Sequence, residues 1–109
     1  MFTGERREHK RFIVPGKAIT RMPDGSTTVL EVLDVSLGGL FLLCAAPPPM
    51  GAQVEMKFTI ADYEPELSAV AGVVRLQDGA MGVAFEPAPE GIDRLINWLE
   101  TEWMIEMLK

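Results

Sequence analysis

The chain has 109 residues, enough for a single hydrophobic core and too few for two. Apolar residues make up 48% of it, which argues against wholesale disorder, and one cysteine rules out an internal disulfide. The net charge of −6 is divided unevenly: residues 1–21 carry six basic side chains against two acidic ones, and the remainder four against fourteen. An acidic body repels a long polyanion while a local basic arm can still hold a small one, so general DNA or RNA binding is not expected.

In chain order, residues 1–11 lack apolar periodicity and read as a flexible basic arm, with Arg6-Arg7-Glu8-His9-Lys10-Arg11 as its charged part. From Phe12 the texture becomes that of strands. Phe12-Ile13-Val14 and Ala18–Met22 lead into Pro23-Asp24-Gly25-Ser26, a strong turn signal. Thr27–Leu33 is rich in β-branched residues and stops at Asp34. The turn Asp34-Val35-Ser36-Leu37-Gly38-Gly39 precedes the apolar run Leu40–Cys44, and Pro47-Pro48-Pro49 with Gly51 form a loop no strand ladder tolerates. Gln53–Ile60 alternates polar and apolar residues, the pattern of a strand with one wet face. Residues 61–66, with Pro65 and three acids, read as loop. Leu67–Leu76 and Ala80–Phe85 are apolar strands joined at Gln77-Asp78-Gly79, where Asp-Gly favours a hairpin. This spacing points to an antiparallel barrel or sandwich.

The last segment changes period. Ile92, Leu95, Ile96, Leu99 and Trp103 recur at helical spacing, predicting a helix over about 90–108. Trp98, Ile105 and Leu108 lie off that stripe. They widen the apolar face, either for packing on the strands or for a partner.

Catalytic chemistry is poorly provided for. The single histidine, His9, lies in the arm and reads as solvated. Cys44 sits in an apolar run and reads as a buried, inert thiol. No histidine, cysteine and carboxylate set has metal-ligand spacing and no phosphate-binding glycine loop is present, so neither enzyme nor metalloprotein is expected. No apolar run approaches the roughly 18 residues of a membrane-spanning helix, and no apolar core follows the N-terminal charges, so a cytoplasmic protein is expected.

The arm and the Asp34–Gly39 turn carry the remaining chemistry. Guanidiniums hold phosphates bidentately, and guanidinium and carboxylate read guanine edges by hydrogen bonds. Asp34 ends a strand, Ser36 both donates and accepts, and Gly38-Gly39 permits close backbone approach or a positive φ. Each stretch also has a plainer reading: the arm as a solvated tail, the turn as a local Asx or serine turn closing a strand reversal.

Taken together the two stretches resemble the PilZ domain family of bacterial cyclic di-GMP receptors. The family's R-x-x-x-R motif matches Arg7-Glu8-His9-Lys10-Arg11, with Phe12 opening the first strand, and its [D/N]-x-S-x-x-G motif matches Asp34-Val35-Ser36-Leu37-Gly38-Gly39. Ala71-Gly72-Val73-Val74 and Met81–Phe85 are similar to its closing strands, extending the resemblance from about residue 5 to 103. Lys10 stands where many relatives have proline.

The resemblance implies a mainly β fold: a six-stranded antiparallel barrel over residues 12–109 with a C-terminal α-helix, and residues 1–11 as a flexible ligand-binding arm. It implies that Arg7 and Arg11 contact the phosphates and guanines of cyclic di-GMP, that Asp34 and Ser36 meet a guanine edge, and that Gly38 and Gly39 shape the turn. Arg6, just before the first motif, is similar to members that hold an intercalated pair of ligands, so two ligands per chain are expected. The implied function is a non-enzymatic effector, a monomer or weak dimer without a further cofactor. It would regulate a partner in motility, exopolysaccharide or biofilm control, such as a flagellar motor or polysaccharide-synthesis component. The alternative is a PilZ-like protein-interaction module that binds no nucleotide.

Overall fold

The alternation read in Gln53–Ile60 is the rule by which the chain closes on itself. Val54, Met56, Phe58 and Ile60 are buried while Gln53, Glu55 and Lys57 face solvent. The same inward set recurs on β1 (Phe12–Arg21), β2 (Thr27–Val35), β3 (Gly39–Leu43), β4 (Gln53–Ile60), β5 (Tyr63–Gln77) and β6 (Ala80–Phe85). The computed structural model describes residues 9–103. Within them the six strands form a closed antiparallel barrel in the order β1-β2-β3-β6-β5-β4. Closure comes from β1 pairing with both β2 and β4, which settles barrel over sandwich and leaves no strand edge to aggregate. The expectations placed on Arg6, Arg7 and residues 104–108 lie outside the described residues.

Phe58, Leu42, Ile60, Met81, Val35 and Val73 fill the core. Thr20 is buried among them and satisfies its hydroxyl by donating to the Ala18 carbonyl at 3.1 Å. Cys44 is buried and unpaired by disulfide, as its apolar setting predicts.

Two elements differ from the sequence reading. Residues 61–66 were expected to be loop, but only Ala61-Asp62 turn, with Ala61 at φ 46°, and β5 begins at Tyr63 opposite Ile60. The next rung is Phe58 opposite Leu67, so Glu64-Pro65-Glu66 span an interruption in the ladder and Pro65 need donate no hydrogen bond there. At the C-terminus the described part of the helix changes type: α1 covers Ile92–Trp98 and a π-helical turn follows over Leu99–Trp103. Ile92, Leu95, Ile96 and Leu99 bury the predicted stripe. Trp98, off the stripe, packs its ring 5.3 Å from that of Tyr63, at the start of the unexpected strand.

Candidate functional site

The ladder between β1 and β2 brings the two singled-out stretches together. Phe12 pairs with Val35 and Ile13 with Asp34, so Arg11, just before β1, stands beside the start of the turn. Its Nη1 lies 3.8 Å from Asp34 Oδ2, an ion pair across 23 residues of sequence. The Asp34 side chain is only 15% exposed, and Arg11 44%. At 3.8 Å and with its Arg11 end in solvent the pair contributes about 1 kcal/mol or less, so the guanidinium is available to an incoming group.

The turn that follows is built from the backbone. Ser36 N–H donates to the Gly39 carbonyl at 3.0 Å and Gly38 N–H to Ser36 Oγ at 3.1 Å. That leaves the serine hydroxyl proton free to donate outward. Neither glycine has a positive φ, so what each position answers to is the approach of a neighbour and not backbone conformation. A Cβ on Gly39 would run into the Val83 carbonyl oxygen on β6. A Cβ on Gly38 would stand 2.9 Å from His9 Cδ2, so the imidazole, solvent-exposed as expected, rests its edge beside the turn. Lys10, between His9 and Arg11, reaches Glu100 of the C-terminal π turn at 3.7 Å.

Arg11, Asp34, Ser36, Gly38 and Gly39 thus line one cleft of about 170 Å³. The volume falls below the roughly 300–1,000 Å³ that enclose a whole small ligand, so the cleft seats one edge of a larger molecule lying on the surface. A groove of about 760 Å³ lies elsewhere, over β1, β4 and β5, where Arg21, Lys57, Glu55 and Glu90 surround Ala69 and Pro87. It mixes both charge signs and has no convergent donors, so size alone does not recommend it. Among the described residues no group of histidines, cysteines or carboxylates gathers to hold a metal, and no helix is long and apolar enough to cross a membrane.

One lining residue was missed in the sequence. Arg75, on β5, has its guanidinium carbon 4.7 Å from the centroid of the Phe41 ring on β3, and its Nη2 donates to Gln77 Oε1 at 3.0 Å. The available signal was a lone cation inside the apolar run Val73-Val74-Arg75-Leu76.

Comparison with known proteins follows this geometry closely. The PilZ domain family model matches residues 5–101. No curated protein sequence matches the chain. Among solved structures, the PilZ domain of YcgR from Escherichia coli, solved with c-di-GMP, superposes with a TM-score of 0.73 at 21% identity, covering 95% of this chain and 98% of that one. The PilZ domain of CeSA from a cellulose-synthesizing bacterium gives 0.67 at 19% identity, with 84% and 98% covered. The Bacillus subtilis inhibitor of motility, MotI/DgrA, gives 0.71 at 14% identity; 89% of this chain is covered, and the chain spans 53% of that protein. Likeness at these identities is likeness of fold.

Proposed function

The chain belongs to the PilZ domain family, and from that premise we propose that it is a non-enzymatic receptor for cyclic di-GMP that regulates a partner protein. The observation that supports this most directly is the contact of Arg11 with the half-sunken Asp34 in one cleft with Ser36. The cleft offers a guanidinium for phosphate or the guanine Hoogsteen edge, and a carboxylate to accept guanine N–H groups. Strand pairing holds Asp34, and Arg11 stands one residue before the first rung of the same ladder. In this reading Arg7 and Arg11 grip phosphate and base, Asp34 and Ser36 read a guanine edge, and Gly38 and Gly39 keep the turn low enough for the base to approach. Arg6 stacks on a second ligand of an intercalated pair. Charge-assisted hydrogen bonds and cation–π contacts of about 1–3 kcal/mol each, less the conformational cost of binding, give micromolar affinity or better. Engagement of the arm then alters the surface that the chain, acting in the cytoplasm, shows to its partner, a flagellar motor or polysaccharide-synthesis component.

Isothermal titration with cyclic di-GMP tests the reading. The parent should bind two ligands per chain, and Arg7→Ala or Arg11→Ala should each weaken binding about tenfold or more without shifting the melting temperature. Parent-like binding by both variants would remove the site assignment, and a stoichiometry of one would remove the role given to Arg6. A second reading, an interaction module without nucleotide, is favoured by the outward apolar side chains Ile13, Ile19 and Val29 on β1 and β2. It prevails if the parent shows no heat of binding at tens of micromolar ligand.

A further inference from the structure

We propose that Arg75 is a further ligand-contacting residue of this site, a flat cationic platform on which a guanine base stacks. The inference rests on the cyclic di-GMP reading and adds a wall that neither sequence motif contains. It starts from strand register. Asp34 on β2 pairs with Phe41 on β3, Phe41 with Gly82 on β6, and Gly82 with Arg75 on β5, so the four residues form one row across four adjacent strands. At about 4.8 Å per strand the backbones of Asp34 and Arg75 stand about 14 Å apart, too far to share a base.

Two features of the row close that gap. Gly82 has no side chain, and a Cβ there would meet Arg75 Cβ at 3.2 Å and Phe41 Cδ1 at 3.6 Å. Its absence opens a trough across β6 in which the Arg75 side chain lies back toward β3. The guanidinium comes to rest over the Phe41 ring, 4.7 Å from its centroid, one strand from the Asp34 column. Gln77 fixes it at one edge through the Nη2 hydrogen bond. The second feature is a bulge: β5 advances from Val73 to Arg75 while β6 advances only from Val83 to Gly82. The extra residue breaks alternation, so Val74 and Arg75 both face outward, and both line the cleft of Arg11 and Asp34.

The guanidinium is thereby backed by the Phe41 ring while Arg75 lines the cleft. A planar cation seated this way has little conformational freedom to lose, and it can stack on a base while its spare N–H groups reach phosphate. The arrangement selects a purine nucleotide whose base lies flat across β6 with its edge at Asp34.

The test is titration of cyclic di-GMP against the parent, Arg75→Ala, Arg75→Lys and Phe41→Leu, with the melting temperature of each as a control for folding. Loss of a stacked base predicts binding about tenfold weaker for Arg75→Ala. Arg75→Lys keeps the charge but not the plane and should recover less than half of that loss on a logarithmic scale. Phe41→Leu keeps Arg75 but removes its support, and should weaken binding about threefold, which answers the question if Arg75→Ala proves unstable. Binding within twofold of the parent by both Arg75→Ala and Phe41→Leu overturns the platform while leaving the receptor intact. Full recovery by Arg75→Lys also overturns it, because a point charge would then suffice. A parent that binds no cyclic di-GMP overturns the receptor reading and the platform together.

Discussion

Gly38 and Gly39 are neighbours in the same turn, yet what surrounds them predicts opposite responses to a methyl group. At Gly39 the obstacle is the Val83 carbonyl on β6, part of a strand ladder with nowhere to go. Gly39→Ala should therefore destabilise the barrel by about 2–3 kcal/mol or prevent folding, seen as a lower urea midpoint. At Gly38 the obstacle is the edge of the His9 ring, a side chain that can swing aside. Gly38→Ala should leave the midpoint within about 0.5 kcal/mol of the parent. A large loss at Gly38, or none at Gly39, would mean the approach distances are wrong. The second glycine of the motif is thus a packing requirement of β3 against β6, and the first is set by what lies on top of the turn.

Among the elements, the β1–β2 hairpin shows a turn that titrates. Gly25 N–H donates to the Met22 carbonyl and Gly25 takes φ 91°, so Pro23-Asp24-Gly25 form a three-residue loop. Asp24 Oδ1 accepts from both the hydroxyl and the N–H of Ser26, and these bonds hold its carboxyl below its ordinary value of 3.8. A lowered folded value means stability that is present above about pH 4 and lost as pH falls through the folded pKa. Asp24→Asn should accordingly be less stable than the parent at pH 7, and the two unfolding midpoints should converge as pH falls below the ordinary carboxylate range. That hairpin was legible in the sequence because its turn chemistry is local. So was the inward face of β4, where alternation reports burial directly. The start of β5 was hidden because Pro65 and its flanking acids carry a loop's composition, while the ladder interruption that tolerates them depends on β4 opposite. Arg75 was hidden for a related reason. The Phe41 ring beneath it and Asp34 in the cleft are 34 and 41 residues away, joined to it by register and a bulge rather than by any spacing.

At the scale of the whole molecule, the described part of the basic stretch meets the acidic body through Lys10 and Arg11. Lys10 and Glu100 pair at 3.7 Å with both side chains about half exposed, so Glu100→Gln should move the urea midpoint by less than about 0.5 kcal/mol. A larger drop would mark the contact as a structural tie between the arm and the C-terminal helical segment. The row Asp34, Phe41, Gly82 and Arg75 behaves differently, because its members come from four strands and coexist only when the barrel is shut. The unfolded chain then holds no remnant of the site, and occupancy is coupled to folding by mass action. At a hundredfold excess over Kd, each bound cyclic di-GMP should add about 2.7 kcal/mol to the unfolding free energy. For a chain of this size that is a rise in Tm of roughly ten degrees or more. Amide exchange should slow on β2, β3, β5 and β6 alike, so that the nucleotide acts as a staple across the sheet as well as a signal.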